Sequence, residues 1–326
     1  MADINNQNGV ATVAPKKVKK NSGVRLEISE LIFKILAYLF CAVFALMCIY
    51  PFVYAISAAL SGQEAYEAGK IVLLPMIGAD DSTFRMGVTG EAFLEVLYDD
   101  KFWISYANTL FITFYGTVWS LGVSIFGGYA LSKKRLPFRT GLNFYLLFTM
   151  WFSAGLIPQY LNYVNTQEVF DMVGITDKRW MVVIAMGMNA FNVILLRNAF
   201  ESVPKEIEEA AIVDGASEFS LLWNVYVPMS KSAIATVGLF FGISRWNGFF
   251  WANQMLGENE DPLQVYIRNE RERILTNKGG NTSGTIKDSE TFIFAMLVCA
   301  IVPIIIIYPY IQKYFATGVN VGGVKE

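Results

Sequence analysis

The stretch Pro204-Lys205-Glu206-Ile207-Glu208-Glu209-Ala210-Ala211-Ile212-Val213-Asp214-Gly215-Ala216-Ser217 is unlike the rest of the chain. It is amphipathic and rich in good helix formers, and it is interrupted at Gly215. A second amphipathic piece, Glu218 to Val225, follows and is expected to end at Pro228. Ala210, Ala211 and Gly215 are small enough to let another backbone approach closely. Glu206, Glu208, Glu209 and Asp214 supply hydrogen-bond acceptors and a negative surface. A helix lying on lipid headgroups favours Lys and Arg on its polar face. This one is acidic, which points to docking on a soluble partner.

Working outward, both flanks are apolar. The 326-residue chain is 54% apolar and only 17% charged, with mean hydropathy +0.40, whereas a globular chain is about a quarter charged. A membrane span needs roughly 20 apolar residues. Six runs qualify: Leu31–Leu60, Trp103–Ser132, Gly141–Tyr163, Trp180–Leu196, Ser232–Asn253 and Thr291–Phe315. Gly238, Gly242, Arg245 and Gly248 interrupt the fifth. The expected fold is an all-α polytopic membrane protein with six transmembrane helices. The first run is too long for a cleaved signal sequence and reads as a signal anchor.

Charge sets the orientation. Lys16, Lys17, Lys19, Lys20 and Arg25, and then Lys133, Lys134, Arg135 and Arg139, mark cytoplasmic segments. The 61–101 loop carries Glu64, Glu67, Asp80, Asp81, Glu91, Glu95, Asp99 and Asp100 and reads as external. Alternation then places 198–231 inside, the 254–290 loop outside and both termini in the cytoplasm. Arg268, Arg271, Arg273, Lys278 and Lys287 in 254–290 run against the charge bias, which long loops obey poorly. The resulting organisation is a disordered basic arm over 1–24, a membrane domain over 25–316 and a cytoplasmic tail over 317–326.

The residue inventory excludes several chemistries. With no histidine, Ser-His-Asp triads, Cys-His dyads, HExxH zinc sites and His-ligated haem are ruled out. Cys41, Cys48 and Cys299 lie within apolar runs and form no CxxC pair. Asp80-Asp81 and Asp99-Asp100 lack both a neighbouring nucleophile and calcium-loop spacing. A membrane-embedded transferase is therefore disfavoured, and so is a proton-coupled transporter, which needs intramembrane carboxylates.

Glu209-Ala210-Ala211, three residues, Gly215, nine residues and Val225-Tyr226-Val227-Pro228 together resemble the EAA loop of ABC importer permeases, E-A-A-x3-G-x9-I-x-L-P. Valines stand where Ile and Leu are usual. Further stretches resemble the carbohydrate-uptake subgroup, of the maltose-type second permease kind: Asn108-Thr-Leu-Phe-Ile-Thr, Gly128-Tyr-Ala-Leu-Ser-Lys-Lys-Arg-Leu-Pro, Gly155-Leu-Ile-Pro, and Tyr308-Pro-Tyr-Ile-Gln-Lys-Tyr-Phe through Val321-Gly-Gly-Val-Lys. Lys133–Pro137 and Gly155–Pro158 look most like the Gram-positive oligosaccharide branch.

The resemblance implies a non-enzymatic subunit of a type I importer in a bacterial cytoplasmic membrane. It binds no cofactor or metal and no nucleic acid, and no Walker A sequence is present. The implied partners are a second permease, two ATPase subunits that bind ATP and Mg, and an extracellular lipidated sugar-binding protein, all assembled in membrane lipid. Carried onto this chain, the ATPase-coupling residues are Glu209, Ala210, Ala211, Asp214, Gly215 and Pro228. Gly318, Gly322, Gly323 and Lys325 would form a tail reaching between the ATPases. The 254–290 loop would be a flexible probe of the binding protein. An importer of another solute, such as a peptide or amino acid, is the alternative.

A sugar path should offer amide hydrogen bonds and aromatic platforms. The candidates are Asn108, Trp151, Gln159, Asn189, Asn192, Arg245, Trp246, Asn247 and Trp251. Arg245 stands out because a charge at membrane depth tends to face a cavity or a partner. It is expected to line the path or pair with the second permease, favouring an acidic sugar.

Overall fold

The computed structural model describes residues 28–80, 82–257, 259–277 and 286–318. The basic arm, most of the tail and the Gly/Asn-rich part of the 254–290 loop lie outside the described residues. The chain divides into two compact units, Met1–Pro51 and Phe52–Glu326. The first is described through α1 (Ile28–Ala59), whose only charges, Glu30 and Lys34, fall in its first two turns. From Phe52 onward α1 belongs to the second unit.

After α1 come α2 (Gln63–Glu67), a hairpin of β1 (Met76–Ile77) and β2 (Arg85–Met86), and α3 (Glu91–Leu97). The strands are antiparallel, with Met76 opposite Met86 and Ile77 opposite Arg85. The long α4 (Asp100–Ser132) follows, then α5 (Arg139–Trp151), α6 (Leu156–Met172), α7 (Arg179–Ala185) and α8 (Ala190–Glu201). The EAA region forms α9 (Lys205–Val213), α10 (Glu218–Leu221), a π-helical turn over Leu222–Tyr226 and α11 (Val227–Met229). Beyond it lie α12 (Lys231–Trp246), α13 (Phe250–Met255), α14 (Leu263–Asn277) and α15 (Glu290–Gly318).

Among the described residues, three helices, α1, α4 and the Glu290–Pro309 part of α15, are each long and apolar enough to cross a membrane. Three bent pairs pass the same test: α5 with α6 at 114°, α7 with α8 at 53°, and the Glu218–Met229 run with α12 at 85°. Counting each pair as one span gives six. Five of the sequence runs are thus found, the third and fourth of them broken. The third bent pair instead starts at Glu218, in the stretch read as cytoplasmic, and ends at Trp246, short of the Asn253 end of the fifth run.

Two of the breaks have a local cause. Gly155, at φ +87°, opens α6, a conformation that favours glycine. Between α7 and α8, a Cβ on Gly187 would lie 2.5 Å from the Trp119 indole Nε1, so the chain turns where only glycine fits. Asn189 then caps α8, its side-chain oxygen accepting the Asn192 N–H at 3.2 Å. In the third pair the helical run does not end at Pro228, as the sequence suggested. The wide turn places Val227 N–H on the Leu222 carbonyl, loosening the helix where proline would otherwise clash with the preceding turn. Helix continues to Met229 and bends at Ser230.

The packing centre is α4, which contacts α7, α8, α12 and α14. Its buried face carries Ser105, Thr109, Ile112, Gly116, Ser120, Ser124 and Gly128, mostly small residues that let membrane helices approach closely. At Gly128 an added Cβ would lie 3.0 Å from Leu196 Cβ on α8. One end of the unit is closed by Ile125, Tyr129, Phe200, Leu222, Tyr226, Val237 and Phe241. The other is closed by Phe102, Leu263, Tyr266, Ile274, Phe292 and Met296. The 254–290 segment is therefore only partly the loose loop expected. Its α14 buries Leu263, Val265, Tyr266, Ile267 and Ile274, and the Tyr266 hydroxyl donates to Asp99 at 2.5 Å.

Candidate functional site

A cavity of about 980 Å³ opens between α5, α6, α8 and α12. Gln159, Asn162 and Tyr163 face it from α6, and Asn189 and Asn192 from the start of α8. Ser244 and Arg245 contribute from α12, and Trp251 from α13. Tyr163 and Trp251 stack at 4.8 Å between ring centroids, with planes 19° apart. The lining holds amides, aromatic faces and one arginine, and it includes no Asp or Glu.

Arg245 is 4% exposed. Its guanidinium donates to Ser120 Oγ on α4 at 2.8 Å, to the Met186 carbonyl at 2.5 Å and to the Val182 carbonyl at 3.4 Å. Gly116 makes room for the side chain, since a Cβ there would sit 3.1 Å from Arg245 Nε. These partners are neutral, so they satisfy the donors without cancelling the charge. Arg245 lines the cavity, and its hydrogen bonds go to its own chain.

Other candidates fall elsewhere. Asn108 Nδ2 donates to the Asn259 and Asp261 carbonyls at 3.0 and 3.1 Å, and its Oδ1 accepts from Arg179 at 2.9 Å. Asn108 is an interhelical stitch, not a cavity residue. That arginine also grips Asp177, and its hydrogen bond holds the Asp177 carboxyl below the usual carboxylate range. Trp246 is buried against Tyr106 at 6.1 Å, and Asn247 caps the end of α12. Trp151 is 82% exposed at the end of α5. None of these lines the cavity.

At the far end of α4, α9 has no buried residue. Glu209, Ala210, Asp214 and Gly215 are exposed, Ala211 is half-buried, and Val213 is 86% exposed. Gly215, at φ +82°, makes the turn between α9 and α10, and the Ser217 side chain caps α10 through the Ser220 N–H. Pro228 is also exposed. Glu208, by contrast, turns inward. Burial opposes its ionisation, but hydrogen bonds from Lys133 and Tyr226 outweigh that and hold its carboxyl below the usual range. Gly318 ends α15; Gly322, Gly323 and Lys325 lie outside the described residues. Among the described residues, no group of three or more Cys, Asp or Glu could hold a metal ion.

Residues 21–321 match the model of the family described as binding-protein-dependent transport system inner membrane component. The chain belongs to the ABC importer permeases. It is a transport component of a binding-protein-dependent system, a multi-pass permease of the cytoplasmic membrane. The polygalacturonan/rhamnogalacturonan transport system permease protein YtcP of Bacillus subtilis (strain 168) is 32% identical over 301 residues, covering 90% of this permease and 98% of that protein. The arabinooligosaccharides transport system permease protein AraQ of Halalkalibacterium halodurans is 26% identical, over 69% of this permease and 75% of that protein. Among solved structures, a bacterial ABC transporter involved in the import of the acidic polysaccharide alginate includes a chain 39% identical to the permease. The TM-score is 0.74, with 89% of this chain and 98% of that one covered.

The permease thus gathers Gln159, Asn189, Asn192, Arg245 and Trp251 around one cavity and leaves Asn108, Trp151, Trp246 and Asn247 out of it. Sequence reasoning missed Asn162, Tyr163 and Ser244. Asn162 had a signal: it lies three residues after Gln159, on the same helical face. Tyr163 had none, because one tyrosine in an aromatic-rich chain carries no address.

Proposed function

We propose that this permease carries an oligosaccharide bearing carboxylates, as one of two membrane halves driven by two ATPase subunits and supplied by an extracellular lipidated sugar-binding protein. The observation that carries the reading is the cavity lining. Amides suit hydroxyl groups, and the Tyr163–Trp251 stack suits the apolar face of a sugar ring. The Arg245 charge attracts an anion in a lining without Asp or Glu. The relatives named for polygalacturonan and alginate support the same substrate class. Through Glu209, Ala210, Ala211, Asp214 and Gly215, α9 would dock in the ATPase and follow its closure. ATP binding would then favour one of two access states.

The test is uptake into proteoliposomes holding the complete importer, comparing a uronic-acid trisaccharide with a neutral one of equal length. The acidic sugar should be preferred. Arg245→Gln should reduce that preference about tenfold, corresponding to ~1.4 kcal/mol. Equal uptake of both sugars by the unmodified importer overturns the acidic reading. No ATP-dependent uptake of either overturns the sugar reading.

A further inference from the structure

We propose that Lys133, Glu208 and Tyr226 form the joint that passes movement of α9 into α4; the inference rests on α9 being the helix that docks on the ATPase. A docking helix can drive a membrane domain only if it is firmly attached to it. Packing supplies little of that attachment, since α9 buries no residue. Among the described residues, Glu208 is the α9 side chain that forms hydrogen bonds and an ion pair with the rest of the unit.

The attachment is stiff for three reasons. Lys133 immediately follows α4 and is only 9% exposed. Its Nζ donates to Glu208 Oε1 at 2.5 Å and to the Tyr226 hydroxyl at 2.9 Å, and that hydroxyl donates to Glu208 Oε2 at 2.6 Å. The ammonium also lies 4.1 Å from the Tyr226 ring centroid and 4.6 Å from that of Tyr129, a further attraction that limits its freedom. A charge pair closed on three sides by hydrogen bonds and rings acts at short range with little slack.

The joint also has a direction. Tyr226 sits at the end of the π-helical turn, so Glu208 and Tyr226 tie together the helices on either side of Gly215. Their shared partner, Lys133, hangs from α4, which further along places Ser120 against Arg245 in the cavity wall. One continuous helix therefore runs from the joint to the cavity.

The experiment uses the complete importer in proteoliposomes and reads copurification of the ATPase subunits, together with ATP hydrolysed per sugar imported. Lys133→Gln and Glu208→Gln should assemble normally yet raise ATP consumption per sugar about tenfold, within the usual range of coupling between sites. The double variant should be no worse than either single. Lys133→Arg, and the exchange of Lys133→Glu with Glu208→Lys, should recover most of the coupling, which a loss of folding would not permit. Unchanged ATP per sugar in both single variants overturns the joint, as do additive losses. Should Lys133→Gln lower the membrane level, Tyr226→Phe carries the test, and unchanged ATP per sugar there overturns the joint. Docking is read separately with Glu209→Lys. Lost copurification in that variant, with normal coupling in Lys133→Gln, overturns the joint alone. Full copurification and coupling in Glu209→Lys overturn the docking reading and the joint with it.

Discussion

Arg245 illustrates how a charge is accommodated at membrane depth. Its fork reaches the carbonyls of Val182 and Met186 at the C-terminal end of α7, where the backbone dipole and free carbonyls favour a cation. The arginine was conspicuous in the sequence; its partners were not, because they exist only where the fourth apolar run breaks. That break depends on Gly187. Gly187→Ala places a methyl group 2.5 Å from Trp119 Nε1 and 2.8 Å from the Ile184 carbonyl, so the backbone or the indole must move. The expected cost is about 1–3 kcal/mol, as for other overpacked sites, read as a lower thermal midpoint of the purified permease in detergent. An unchanged midpoint would show that the indole yields freely.

At the scale of elements, legibility tracked composition. Apolar runs announce spans because the bilayer demands them, and α4 was found to within a few residues. The acidic pair of helices around Gly215 was equally plain, since good helix formers and a single glycine leave few alternatives. Bends were not legible, because a hydropathy run reads the same whether its helix is straight or broken. Helix α14 was hidden for the opposite reason: Arg268, Glu270, Arg271, Glu272 and Arg273 mask the apolar face that it buries. Which side chains share a cavity depends on helix rotation, and that separated Asn192 from Asn108. The turn at Gly215 carries its own prediction. Gly215→Val forces a β-branched residue to φ +82°, a strain of roughly 1–2 kcal/mol or more. Transport should fall while insertion in the membrane is retained, as judged by uptake against immunoblotted membrane protein. Full transport would mean that the angle between α9 and α10 is unimportant.

For the whole molecule, membership of a binding-protein-dependent family means that this chain is one component of a larger machine. Its own residues supply a lined cavity and an exposed acidic arm. Expressed alone, the permease should insert in vesicles and take up no sugar. Uptake should appear only when the second permease, the ATPase subunits, the binding protein and ATP are supplied together. Uptake by the lone chain would place it in a different class of transporter.

The uninterrupted α4 has a consequence for leakage. Its 33 residues span about 50 Å at 1.5 Å per residue, more than the roughly 30 Å hydrocarbon layer. Near one end Asn108 is fastened to the segment before α14; at the middle Ser120 holds Arg245; at the other end Lys133 holds Glu208. All three attachments are thereby borne by a single helix. In the two-state access proposed above, a shift of α4 that loosens one attachment would be felt at the others, which would hold back a leak of ions across the membrane.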